Sequence, residues 1–326
     1  MKVVVIGGTG HIGTFLIPML VNSGYETIYI SRGQSKPYID DPAWKKAKNV
    51  IMDRKTDKDF VQKIIEMNPD IIVDLINYNI EDTKKIVEAI QKSSCCTHYL
   101  YCSSIWAHGR SEVLPLGRES LTKEPVCDYG KDKYESEKYL IEKFRKEKFP
   151  MTIISPGQIS GPGWDIINPW GGLDHRPFQL IADGEIIYLP NFGQETLHHI
   201  HGEDVAQLFY KAIINRNQAL GEVFNAVSGG SITLYGYAKL LYSYFGKEPK
   251  IEFKPWNEFC EYVGNKKETD MGYLHFIRSG YWNYEKEEKL LGFRPKYTNV
   301  ETILAAVKSY FDRIIIKIKY YLTLKK

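Results

Sequence analysis

Tyr129-Gly130-Lys131-Asp132-Lys133 places a tyrosine and a lysine four residues apart, on one face of any helix that contains them. A free tyrosine titrates near ~10 and is a poor base at neutral pH. A lysine ammonium one turn away, with a positive ring such as an oxidised nicotinamide beside it, favours the phenolate. Such a tyrosine takes a proton from a substrate hydroxyl as hydride leaves, or returns it during reduction. Ser104, twenty-five residues upstream, can hold the same oxygen by hydrogen bond. The pattern repeats at once in Tyr134-Glu135-Ser136-Glu137-Lys138. That second pair faces another direction, so both cannot serve one site, and spacing alone leaves the choice open.

Hydride chemistry needs a carrier, and the chain opens on a cradle for one. Lys2-Val3-Val4-Val5-Ile6 runs straight into Gly7-Gly8-Thr9-Gly10-His11-Ile12-Gly13. Gly7 permits a tight turn, Gly10 lets backbone approach a pyrophosphate, and Gly13 lets the following helix pack on the strand. The helix N-terminus then offers amides and partial positive charge to the phosphates. Thr9, His11 and Ile12 complete this loop, and Leu75 and Lys133 are further expected cofactor contacts. A glycine pattern alone is a weak signal, but here it sits between strand and helix.

The end of the second strand chooses between dinucleotides. An acid there accepts from the adenosine ribose and repels a 2′-phosphate. This chain has Ser31-Arg32-Gly33, with Lys36 following. Arg32 can stack on adenine and pair with a phosphate while Ser31 donates a hydrogen bond. NADP is therefore favoured, with NAD the alternative; the competing reading makes Arg32 a solvated loop charge. Asp53, closing the third strand, is placed to meet the adenine edge.

The elements that must position these residues alternate along the first half. Strands are expected at 2–6, 26–31, 49–52, 70–75, 98–102 and 151–154, and helices at 11–23, 60–67, 80–92 and 129–146. Strands apolar on both faces, alternating with helices, imply a parallel sheet covered by helices. After Gly161-Pro162-Gly163 the rhythm breaks into an aromatic loop and short mixed elements, with helices near 176–183, 203–215, 234–246 and 298–314. The expected fold is α/β, a Rossmann-type doubly wound parallel sheet with a smaller C-terminal substrate lobe. Residues 1–163 form the dinucleotide-binding domain, with a segment near 197–228 returning to it; 164–196 and 229–326 form the lobe. The substrate should lie between them, outside the carboxyl ends of the strands.

Bulk properties narrow the partners. The 326 residues are 43% hydrophobic and 25% charged, an ordinary globular composition. The net charge of +3 comes from the end of the chain: 313–326 holds five cations and no acid, leaving a body of 38 basic and 40 acidic residues. Such a body argues against a nucleic-acid surface. No apolar run approaches the ~18 residues of a membrane span. Lys2 leads directly into a buried-strand pattern, with no room for a cleavable signal. The five cysteines show no CxxC spacing, which suits a reducing cytoplasm. A small-molecule substrate is expected, and a homodimer is allowed. Phe311, Ile314, Ile315, Ile318 and Leu322 fall on one helical stripe, read as a last helix lying on the protein rather than on a membrane.

Gly7 to Gly13, Ser103-Ser104 before His108-Gly109, Tyr129-Gly130 with Lys133 and Glu137, and Ser155-Pro156-Gly157 before Gly161-Pro162-Gly163 together resemble the extended short-chain dehydrogenase/reductases. Within these, the pattern is similar to the NAD-dependent epimerase/dehydratase family. The resemblance covers about residues 1–215, and Leu291-Gly292-Phe293-Arg294-Pro295 looks like the family's late motif. It selects Ser104 over Ser103, and Tyr129, with glycine next and a glutamate eight residues on, over Tyr134. It implies an NAD(P)-dependent oxidoreductase or epimerase acting at a carbinol or carbonyl carbon of a sugar or nucleotide sugar. The chain departs from the family at His108, Ser155, Gln158 and Asp74-Leu75-Ile76-Asn77-Tyr78-Asn79. With Ser31-Arg32-Gly33, these resemble a divergent branch that includes chloroplast stem-loop RNA-binding proteins. The alternative is thus a non-catalytic NAD(P)-binding regulatory or RNA-associated protein of the same fold.

Asn77, His108, Gln158, Trp164 and Arg176 are the candidate substrate contacts. His108 follows Ser104 by four residues, so a substrate or auxiliary acid/base role stands beside a packing role. Trp164, Trp170 and Arg176 either wall the substrate pocket or only seal the lobe. His198, His199 and His201 invite a metal, but in a strand only His199 and His201 share a face and no third ligand follows, so no metal is expected.

Overall fold

The computed structural model describes residues 1–93, 95–116 and 123–324, with side chains as far as Arg313 and backbone beyond it. The first half alternates as β1 (Lys2–Ile6), α1 (Gly13–Asn22), β2 (Glu26–Ser31), β3 (Lys48–Ile51), α2 (Phe60–Glu66), β4 (Ile71–Asp74), α3 (Ile80–Ser93), β5 (His98–Cys102), α4 (Asp128–Glu147) and β6 (Met151–Pro156). Then come β7 (Gln158–Ser160), α5 (Arg176–Asp183), β8 (Ile187–Pro190), β9 (Thr196–Leu197), β10 (His199–His201), α6 (Gly202–Ile214), α7 (Arg216–Ala219) and β11 (Val223–Ala226). The remainder is β12 (Ile232–Thr233), α8 (Leu234–Tyr244), β13 (Ile251–Lys254), α9 (Trp256–Val263), α10 (Lys266–Phe276), α11 (Glu285–Leu291) and α12 (Asn299–Leu324).

Seven strands pair in the order β11-β6-β5-β4-β1-β2-β3, every neighbour parallel. This is the doubly wound sheet expected of strands apolar on both faces. Val3, Val4, Val5 and Ile6 are wholly buried because helices cover both sides. On one face α1 and α6 set Leu16, Leu20, Val205 and Phe209 against Val3 and Val5. On the other, α2, α3 and α4 bring Phe60, Ile64, Ile86 and Leu140 against Val4 and Ile6. The return of the chain to the sheet is β11, which closes its edge beside β6.

The lobe has a separate core, where Phe178, Leu189, Tyr237, Leu241, Phe259 and Ile303 meet. Its short strands pair over long sequence distances, β8 with β13 and β7 with β10. Periodicity does not reveal these pairs, nor α9, α10 and α11. The last helix runs to Leu324, beyond the expected 314; Phe311 packs on the lobe core, while the side chains of Ile314, Ile315, Ile318 and Leu322 lie outside the described residues. Among the described residues no helix is long and apolar enough to cross a membrane, and all five cysteines are free.

Candidate active site

The order of the sheet reverses direction between β1 and β4, and loops leaving the carboxyl ends of such strands diverge there to leave a crevice. A cleft of about 820 Å³ opens at that point, lined by the glycine loop, by Leu75, Ile76 and Tyr78 after β4, and by Cys102 to Ser104 after β5. The loop fits a dinucleotide. Gly7 holds φ at +90°, and a Cβ on Gly13 would stand 2.1 Å from the Gly8 carbonyl oxygen. Only glycine allows α1 to start so close to β1. Gly10, His11 and Ile12 then face the cleft at the positive end of α1.

Tyr129 lies in the first turn of α4, 39% exposed, and lines the same cleft with Ser104 and Lys133. Ser104 accepts the Trp106 amide at 3.3 Å. Burial pushes the Tyr129 phenol well above the ordinary tyrosine range, and its hydrogen bond with Ser104 recovers part of that shift. Lys133 does not touch the phenol. Its Nζ donates to the carbonyls of Asn77 at 2.5 Å and Cys102 at 2.7 Å, 5.7 Å from the Tyr129 ring centre. Burial lowers the lysine itself. Within the protein alone, desolvation dominates at Tyr129; Lys133 together with an oxidised nicotinamide is the expected counterweight. Lys138 pairs with Glu135 and sits 4.9 Å over the Tyr134 ring, outside the cleft.

Of the other expected contacts, Leu75, Gln158 and Trp164 line the cleft. Trp164 stacks on His11 at 3.7 Å with rings 8° apart, and Tyr38 closes against both. Arg313 on α12 holds that loop through the carbonyls of Gly163 and Trp164. Thr9 is buried beside Ser35 at 3.1 Å. Arg32 is exposed at the end of β2 with no ion pair among the described residues. Ser31 is buried and donates its hydroxyl to Asn49 Oδ1 at 3.2 Å, so it is spent inside the protein rather than offered to a phosphate. Asp53 accepts the Lys55 amide at 2.9 Å and caps a turn after β3.

Three candidates lie elsewhere. Asn77 is fully buried, its amide on Asp74 at 3.1 Å, and it serves Lys133 through its carbonyl. His108 is turned into a satellite core against Trp282, 4.9 Å away, because the chain reverses at Gly109 with φ +83°. Arg176 packs 4.6 Å over Trp170 and donates to the Val263 carbonyl, sealing the lobe. The three other histidines are each engaged: His198 accepts the Ser228 amide, His199 contacts Ser160, and His201 caps α6 through the Glu203 amide. No group of three His, Cys, Asp or Glu among the described residues is placed to hold a metal.

The far wall of the cleft has no signal in the sequence, because it rests on α10. Arg278, just past that helix, lies 3.3 Å over the Trp106 ring, which in turn lies 5.9 Å from Tyr129. Burial lowers the guanidinium to about 9, and no carboxylate pairs with it among the described residues. Beside it a side pocket of about 40 Å³ is lined by His198, His199 and His275, each with one buried ring nitrogen lacking a partner.

Residues 3–226 match the model of the NAD dependent epimerase/dehydratase family. The chloroplast stem-loop binding protein of 41 kDa b from Arabidopsis thaliana is 28% identical over 96% of this chain and 80% of its own. Among solved structures, UDP-glucose 4-epimerase from Thermotoga maritima superposes with a TM-score of 0.73 at 20% identity, over 96% of this chain and all of that one. UDP-glucuronic acid 4-epimerase from Bacillus cereus, in complex with UDP-glucuronic acid and NAD, gives 0.71 at 18% identity, over 95% and 98%. These likenesses establish the fold.

Proposed function

The chain belongs to the NAD dependent epimerase/dehydratase family, and on that footing we propose that it transfers hydride at a carbinol or carbonyl carbon of a sugar or nucleotide sugar. The observation that carries this reading is the meeting of Ser104, Tyr129 and Lys133 with the glycine loop in one cleft. Gly7, Gly10, His11, Ile12 and Leu75 would hold the dinucleotide, and when bound it would supply the hydride acceptor and, oxidised, positive charge. Ser104 orients the substrate oxygen, and Tyr129 takes or returns its proton. The seated Lys133 ammonium adds positive charge on the same side. Arg278 donates to the Leu274 carbonyl and lines the side pocket. With no carboxylate partner among the described residues it favours a substrate with an anionic group, since a desolvated charge is costly without a counterion. A sugar carboxylate or the phosphates of a nucleotide sugar would supply it. The test is a screen of nucleotide sugars and free polyols, with Tyr129→Phe as the control.

Arg32, with no acid at the end of β2, supports NADP over NAD. The stack of Trp164 on His11, held by Arg313, closes the lobe over the phosphate loop and favours a cofactor kept through the cycle. That suits an epimerase or dehydratase more than a reductase that exchanges cofactor each turnover. The nucleotide carried through purification tests this: about one per protein is expected, whereas a cofactor-free preparation would favour exchange.

The likeness to a stem-loop binding protein over nearly the whole chain supports a second reading, a cofactor-binding protein that associates with RNA. The near-neutral body and the complete Ser104, Tyr129, Lys133 set weigh against it. Tight, salt-sensitive stem-loop binding by protein without turnover on any substrate would favour it.

A further inference from the structure

Lys133 is 1% exposed, and no carboxylate pairs with its ammonium among the described residues. Two main-chain carbonyls seat it, and they differ in what fixes them. Cys102 ends β5 and is held by the sheet. Asn77 lies past the end of β4, where the ladder has stopped. The tether there is its side chain, whose Nδ2 donates to Asp74 Oδ2 at 3.1 Å. Asp74 is wholly buried and also accepts the Tyr99 hydroxyl at 3.1 Å and Arg54 Nη2 at 2.7 Å on both oxygens. Arg54 thus anchors Asp74, Asp74 anchors Asn77, and the Asn77 carbonyl receives the lysine.

We propose that Asp74 is a positioning residue for the reaction assigned above, holding through Asn77 the carbonyl that seats Lys133. This inference rests on that assignment for its catalytic consequence, but the seating itself is a property of the protein without substrate. The charge around the ammonium runs the same way. Burial disfavours it, the charges of Asp74 and Glu137 support it, as the Cys102 thiolate would at high pH, and Arg54 opposes it. The rings of Tyr78, Tyr101 and Tyr129 complete its surroundings at 5.0 to 5.7 Å. Glu137 is itself held by Ser103 at 2.5 Å, by Ser155 at 3.2 Å and by Lys123. Cutting the tether frees a carbonyl and costs the ammonium a fixed acceptor without changing any charge.

Asn77→Ala makes that cut and leaves the carbonyl and the Arg54–Asp74 pair in place. The expected result is a fall in kcat of ~10- to 100-fold, the scale of a small misplacement at a catalytic group, with the substrate KM within about twofold. The second readout needs no turnover: the Lys133 13Cε resonance, assigned with Lys133→Met, is titrated in protein without added cofactor. Its midpoint should move down in Asn77→Ala, and in Asp74→Asn by about one pH unit or more. Asp74→Asn also strips Arg54 of its partner, so Asn77→Ala carries the test if that variant does not fold. An unmoved Lys133 titration in Asn77→Ala, whether kcat falls or holds, would overturn the proposal and leave Asp74 as a structural partner of Arg54. A moved titration in a protein with no turnover on any substrate would retire the reaction and leave the seating standing.

Discussion

Arg32 stands exposed where β2 ends, and Ser31 beside it has already given its hydroxyl to Asn49. Of the two residues read as phosphate contacts, the guanidinium alone is left to discriminate. Arg32→Ala should remove a charge-assisted contact worth ~1.5–3 kcal/mol, weakening NADP by roughly ten- to hundred-fold and NAD little. Titration of both dinucleotides checks this, and equal losses would make Arg32 a stacking or structural residue. Single residues also show where reading from sequence stops. Gly13 is legible from local spacing, whereas spacing offers Tyr129 and Lys133 beside a second pair, and the family resemblance selects them and Ser104. Asn77 and His108 are expected substrate contacts, His108 through its nearness in sequence to Ser104. Burial decided otherwise, drawing Asn77 to Asp74 and His108 to Trp282.

At the scale of elements, α4 and the turn Ile105–Ala107 bring the chemistry together, and their contact depends on one missing Cβ. A Cβ on Gly130 would stand 2.4 Å from the Trp106 carbonyl oxygen. Backbone cannot yield as a flexible side chain can, so the helix start and Tyr129 with it must move. Gly130→Ala should cost ~1–3 kcal/mol, the usual range for overpacking, and lower kcat beyond any loss of folded protein. Denaturant midpoints read beside turnover separate the two effects; wild-type kcat in the folded variant would mean that this approach does not set the tyrosine. The sheet strands were legible because a strand buried on both faces is apolar throughout. The lobe was not, since β8 finds β13 and β7 finds β10 only through tertiary packing. Arg278 went unseen for the same reason, as α10 was not expected.

Across the whole molecule, burial holds imidazoles neutral. His98, His198 and His199 are lowered to about 3, and His11, His201 and His275 to about 4. A depressed group contributes stability that is full above its unfolded value and lost as pH falls towards its folded value. Each histidine therefore costs ~1.4 kcal/mol per pH unit below about 6.5. His108 is also lowered well below its ordinary value by burial. Asp204, raised by burial to about 6, acts in the opposite sense, but it is one group against seven. A fold stable by ~5–15 kcal/mol should then unfold between about pH 6 and 4.5. Urea unfolding at successive pH values tests this, and stability that stays flat from pH 7 to 5 would contradict it. The proposed reaction is hydride transfer with Tyr129 as its acid/base. The most direct measurement is nicotinamide turnover by wild type and Tyr129→Phe on the same substrate, with cofactor affinity measured for both. A loss of ~100-fold or more in turnover is expected, with cofactor affinity unchanged. Equal turnover by the two proteins would contradict it.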